Sequence, residues 1–223
     1  MNTLNKTSRV LGAAFLLQAV TSLISGLILN QVLTVPGNIS ETMIKIANNA
    51  WLMRANIFGE TITAAGIMFL GAILFITLRK QNEKIALVAL GLYILEAALL
   101  AASRIPAFSL LRISQEYVIA GHPAYLQTLG NLAFESMKDG YTLLMLPCCL
   151  GLIPFYYLLY KSGIIPRALS LWGLIATFPM LIGTLTQIFG YSIPFVFYLP
   201  YVPFEFVVGV WILIKGIPET KQQ

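Results

Sequence analysis

Val10 to Leu29 is an unbroken run of 20 residues without a single charge, about the length of mostly apolar chain that an α-helix needs to cross the hydrocarbon of a bilayer. Thr61 to Leu78 supplies a second uncharged run, of 18 residues. The whole chain is 58% hydrophobic and only 10% charged. Soluble domains are roughly half apolar and a quarter charged, and a soluble globule could not hide so much apolar surface. The bilayer is therefore the solvent, and the fold class expected is all-α: a polytopic transmembrane helix bundle of about six helices.

Lys6 and Arg9 precede the first run as the basic lead of a signal peptide would. The run is longer than the roughly 7–15 residues of a signal-peptide core, however, and no Ala-x-Ala cleavage pattern follows it. It reads as a retained helix.

Punctuation along the chain predicts helices at about 8–31, 52–78, 84–105, 132–160, 167–189 and 195–215. Pro36-Gly37-Asn38 breaks the chain after the first, and Ser40 is expected to cap a short polar helix carrying Glu41, Lys45, Asn48 and Asn49. A more polar segment, about 106–131, reads as an external loop with helical pieces. Pro123 has the character of a first-turn proline, and a helix from there to Tyr160 would measure roughly 57 Å, so the fourth helix is expected to be broken or to project. Pro194, Pro200 and Pro203 make the entry to the sixth irregular. One membrane domain, 1–223, accounts for the chain.

Sidedness follows from the basic residues. Lys6, Arg9, Arg79, Lys80, Lys84, Lys161, Arg167, Lys215 and Lys221 all fall on one side of a six-helix arrangement, while Lys45, Arg54, Arg104, Arg112 and Lys138 are shared by the other side and the interior. The positive-inside rule then puts both termini in the cytoplasm. The same distribution explains the net charge of +5 without a nucleic-acid partner, because no basic stripe runs along one face.

The segment Lys161-Ser162-Gly163-Ile164-Ile165-Pro166-Arg167-Ala168-Leu169-Ser170-Leu171-Trp172-Gly173-Leu174 resembles the loop and helix start of bacterial membrane proteins catalogued as domain of unknown function 4386, and Arg9-Val10-Leu11-Gly12 is similar to that family's opening. The resemblance implies a multi-pass protein of the bacterial inner membrane. It assigns no catalytic residue, so the chemistry must be read locally.

Charges within or beside the apolar runs are the candidates, since each costs several kcal/mol at the bilayer centre unless paired or hydrated. Asn56, Glu60 and Thr63 share one face of the second helix. Glu96 and Ser103 align on the third, with Arg104 in reach through its long side chain. Glu135, Lys138, Asp139 and Thr142 are spaced i, i+3, i+4, i+7 on the fourth. Glu205 follows Pro203 near a helix start, where the helix dipole favours negative charge. Each stripe is expected to face the bundle interior in its outer half and to line one outward-opening polar cavity. With Arg54 near the mouth, the set holds five acids and three bases, and a cation, a proton or bound water must balance the surplus.

The remaining features read as structure. His122, the single histidine, stands beside Gly121 and Pro123 and supplies no His cluster for a metal; no metal site and no cofactor are expected. Cys148 and Cys149 sit among Leu, Met and Pro and read as packing. Tyr191, Phe195, Phe197, Tyr198, Tyr201 and Phe204 read as an interfacial aromatic belt, with the wall of an apolar ligand site as the sharper alternative. Gly59, Gly66, Gly71, Gly173 and Gly183 are expected at close helix contacts.

Three functions fit. The first is binding, sensing or transport of a small amphiphilic or cationic molecule, or a lipid, by Glu60, Glu96, Arg104, Glu135, Lys138, Asp139 and Glu205; without an inverted repeat, a carrier would be more comfortable as a homodimer. The second is an intramembrane enzyme in which Glu96, with Glu135 or Asp139, works as an acid–base pair on a lipid-like substrate. The third is an accessory subunit whose charges serve packing and partner contact alone.

Overall fold

The computed structural model describes residues 3–216, the side chains of residues 3–8, 30 and 195 apart; Lys221 and the side chains of Lys6 and Phe195 thus lie outside the described residues. Helix α1 (Thr3–Leu27) continues through a π-helical stretch, Ile28–Leu33. Gly37, at φ 72°, takes the left-handed turn that ends the connection. The cap of α2 (Ile39–Asn48) is Asn38, whose side chain accepts from the Glu41 N–H at 3.0 Å. Ser40 does not cap; its hydroxyl meets the Tyr117 hydroxyl at 2.8 Å instead.

Helix α3 spans Ala50–Leu78 and α4 Glu83–Ala102, with Asn82 accepting from the Ile85 N–H across the turn between them. The chain breaks at Ser103 because Pro106 has no N–H to offer the carbonyl of Ala102, and resumes as α5 (Arg104–Ile119). The polar segment read from sequence as an external loop with helical pieces is therefore helical over most of its length. Its only turn is at residues 120–123, where Gly121 and His122 both have positive φ. Helix α6 (Ala124–Ser162) follows as one helix of 39 residues, about 58 Å long. Pro147 and Pro154 lie inside it without ending it, so the overlong fourth helix is continuous. Helix α7 spans Arg167–Ile188, and α8 spans Val202–Lys215 after a 3-10 turn at Phe195–Phe197. The prolines at 194, 200 and 203 explain why this last segment begins in tight i→i+3 turns, with Phe197 bonded to Pro194 and Tyr201 to Tyr198.

Among the described residues five stretches are long and apolar enough to cross a membrane: Arg9–Leu33, Ala50–Leu78, Glu83–Ile119, Ala124–Ser162 and Arg167–Ile188. The chain is a multi-pass, all-helical membrane protein. The segment expected as a sixth crossing contains the 14-residue α8, which alone reaches about 21 Å.

Contacts divide the chain into two units. One consists of residues 20–64 and 98–141. Its core packs Met43 and Ile46 of α2, Met53 and Ile57 of α3, Leu110, Leu111 and Tyr117 of α5, and Met137 of α6. Short α2 turns Thr42, Met43 and Ile46 inward and lies along α5. Gly130 accepts the Met43 sulfur where a Cβ would stand.

The other unit consists of residues 1–19, 65–97 and 142–223. Its core is aromatic: Tyr93 packs edge-on to Phe155 with ring centroids 4.9 Å apart, and Tyr156 edge-on to Phe204 at 5.0 Å. Small residues permit this. Gly71 and Gly151 both lie against Tyr93, Gly173 against the Phe204 ring, and Gly183 against Ile193. With no hydrophobic drive between helices in lipid, such close approach supplies the packing energy. Gly59, in the first unit, likewise leaves its space to the Ser25 hydroxyl, whereas Gly66 has nothing within 4 Å.

A methyl group on Gly12 would stand 2.8 Å from the backbone nitrogen of Leu213, and backbone does not yield cheaply. Gly12→Ala is expected to lower stability by about 1–3 kcal/mol through overpacking. Gly66→Ala, into open space, should leave stability unchanged or raise it by up to about 1 kcal/mol through helix propensity. Thermal unfolding of the purified variants in detergent checks the contrast.

Candidate functional site

Within the aromatic unit one group of polar side chains gathers from four helices. Tyr93 and Glu96 stand one turn apart on α4, and Cys148 and Tyr156 come from α6. Tyr201, just before α8, Glu205 in its first turn, and Gln18 of α1 complete the group. The Glu205 carboxyl accepts from the Gln18 amide at 3.3 Å, and the Tyr201 hydroxyl lies beside it. The Tyr201 hydroxyl is in turn 2.8 Å from that of Tyr156. Tyr201 and Glu205 converge because i and i+4 share a helical face, and Tyr156 is held in place by Phe204, itself fully buried.

Glu96 is 4% exposed. The Cys148 thiol lies beside it, and the second carboxyl within its electrostatic reach is Glu205. Every partner of these two acids is neutral: an amide, a phenol, a thiol. Among the described residues neither carboxyl has a Lys, Arg or His nitrogen within 4 Å, the single ion pair being Lys138 with Glu135.

The other unit holds a second polar group. Glu60, 6% exposed, and Arg104, 4% exposed, act on each other electrostatically. Arg104 directs its Nε and Nη2 to the Ser103 hydroxyl, at 3.1 and 2.9 Å. One turn from Glu60, Asn56 donates to the Ser25 carbonyl at 2.7 Å, and Thr63 donates to Thr21 at 2.7 Å. The inward face Asn56–Glu60–Thr63 thus stands as expected, and the acid that acts on Arg104 is Glu60.

The stripe on α6 does not turn inward. Lys138 and Asp139 are exposed, and Lys138 pairs with Glu135 at 3.0 Å as i,i+3 neighbours on the outer face of the helix. The inward positions are the apolar Ala133 and Met137: the core of the unit claims that side, and the charges take the other. Arg54 is exposed as well. The aromatic belt is also only partly a belt, since Tyr191 is exposed whereas Tyr201 and Phe204 lie inside. Cys149 is buried packing, but Cys148 is a partner of Glu96. Exposed His122 lies with its ring tilted against that of Tyr117, with centroids 4.9 Å apart. Among the described residues no three of His, Cys, Asp and Glu converge as metal ligands.

Sequence reasoning found Glu96 and Glu205 but not their neighbours. The spacings Tyr93–Glu96 and Tyr201–Glu205 were available as same-face signals; Gln18, Cys148 and Tyr156 carry no local sign at all, because tyrosine and cysteine are ordinary residues of apolar helices.

Buried hydrogen bonds contribute about 0.5–1.5 kcal/mol each. A double-mutant cycle of Tyr156→Phe and Tyr201→Phe, read by thermal or denaturant unfolding, is expected to show a coupling energy in that range; strict additivity would mean the two hydroxyls do not share a bond.

The family model described as Domain of unknown function (DUF4386) matches residues 10–216, nearly the whole chain. No curated protein and no solved structure matches it.

Proposed function

The chain belongs to the DUF4386 family, and from that premise we propose that it is a bacterial inner-membrane protein that binds, and carries or senses, a small cation with an apolar body, held between Glu96 and Glu205. The observation that carries this reading is the pair of neighbouring carboxyl groups whose partners are all neutral. An acid at membrane depth without a counter-charge costs several kcal/mol, and a bound cation removes that cost. Tyr93, Tyr156, Tyr201 and Phe204 add ring faces, which attract cations by about 0.5–2 kcal/mol each where water is excluded.

The topology suits an intramembrane site. With both termini in the cytoplasm, as the basic residues suggest, Glu96 lies about 20 Å along α4 from Glu83, and Glu205 about 15 Å along α8 from Lys215. Both depths are close to the midplane of a hydrocarbon core about 30 Å thick. The site is reached from outside in this reading, and with few crossings per chain a carrier would operate as a homodimer.

Equilibrium dialysis of the protein in nanodiscs against tetraphenylphosphonium tests the reading. Saturable binding is expected, with affinity reduced about tenfold or more in Glu96→Gln and in Glu205→Gln and unchanged in Asp139→Asn on the outer face of α6. Equal binding by all four proteins would overturn it. The topology has its own check: reporters fused after Gln81, Ser162 and Gln223 should be cytoplasmic, and a reporter after His122 external.

A further inference from the structure

The polar group formed by Glu60 and Arg104 is independent of the pair just discussed, and it is incomplete in a specific way. Glu60 is nine-tenths buried, yet among the described residues its carboxyl accepts no hydrogen bond and has no cationic nitrogen within 4 Å. Arg104 is equally buried and feels the charge of Glu60, but its guanidinium directs two of its five donors to the same neutral oxygen, that of Ser103. The Ser103 hydroxyl is committed as well, since it donates to the Leu100 carbonyl at 2.7 Å. One turn from Glu60, on the same face, Asn56 is fully buried and its carbonyl oxygen has no partner.

An acid and a base that served only to fix helix register would meet in contact, because the attraction of a desolvated pair rises steeply as the gap closes. Here both residues are buried among the helices with no contact within 4 Å between their charged atoms, and Glu60 and Asn56 keep unused acceptors while Arg104 keeps unused donors. Ser103 separates α4 from α5, so the break in the helix is what brings a fork of donors to the interior.

We propose that Glu60 and Arg104 hold a small zwitterion between them: an ammonium group on the carboxylate of Glu60, with the Asn56 carbonyl oxygen as a second acceptor, and a phosphate or carboxylate on the guanidinium of Arg104. With a phosphodiester or a carboxylate the charges match in number, so the occupied site is neutral at membrane depth; a free phosphate monoester brings roughly half to one further negative charge. Planar, multidentate recognition of an oxyanion is the task for which arginine is suited and lysine is not. The same chemistry is carried by free phosphoethanolamine and by the headgroup of phosphatidylethanolamine.

The experiment uses the full-length protein. In nanodiscs of phosphatidylglycerol, binding of phosphoethanolamine is measured beside that of ethanolamine and of inorganic phosphate. In a parallel arm, native mass spectrometry of protein released from mixed phosphatidylethanolamine and phosphatidylglycerol discs reads which lipid is retained. A free ligand predicts saturable binding of phosphoethanolamine, with ethanolamine and phosphate each at least about tenfold weaker. A lipid ligand predicts selective retention of phosphatidylethanolamine with no binding of the free headgroup. In either case Glu60→Gln and Arg104→Lys, the latter keeping the charge but losing the fork, reduce occupancy about tenfold or more, while Glu96→Gln and Glu205→Gln leave it unchanged. Should either single variant fail to fold, Glu60→Gln/Arg104→Gln, which removes both charges together, gives the same reading. Occupancy equal in wild type and folded variants, or neither probe bound nor lipid selected, overturns the proposal and leaves water as the occupant.

Discussion

A carboxyl group buried among packed helices has little water to solvate it, and the arrangement of this chain follows from how each acid is accommodated. Glu96 and Glu205 are surrounded by neutral groups from α1, α6 and the start of α8: Gln18, Cys148 and Tyr201, with Tyr156 bonded one step further out. Glu60 has a cation within electrostatic range. Glu135 lies on an outer face with Lys138 one turn away. These are three different answers to the same desolvation cost, and they separate the acids into two that share a neutral cluster, one opposed to a base, and those that face outward.

Holding such clusters requires rigid surroundings, and in lipid these come from close packing of small residues against large ones. Tyr93 is seated between Gly71 and Gly151, and Phe204 against Gly173. The proline-rich entry to α8 belongs to the same design: Pro203 near the start of the helix is compatible with its first turn, so Tyr201 and Glu205 are presented together at a helix start whose dipole favours the acid.

Much of this was legible in advance. The long uncharged runs announce helices, and the prolines and glycines between them mark most breaks, so α1, α3, α4 and α7 stand within a few residues of where the sequence puts them. The faces of Asn56–Glu60–Thr63 and of Glu96 were also correctly inward, since period and polarity agree there. The face of Glu135, Lys138 and Asp139 was not, although its spacing is just as regular. Spacing establishes that residues share a face but does not say which way that face points; Met137 and Ala133 compete for the interior, and apolar residues win it when the charges can pair on the outer side.

By itself, then, the sequence determined that this chain is an all-helical, multi-pass membrane protein with ionisable residues inside or beside its apolar runs, because length and hydrophobicity are local quantities summed along the chain. Which acid meets which partner was decided only by the tertiary structure. Glu96 is joined to Cys148 and Glu205, and Arg104 to Glu60, across gaps of about 50, 110 and 45 residues in the chain, and the helix rotations that close those gaps are set by packing of glycines and aromatic rings, which have no period of their own.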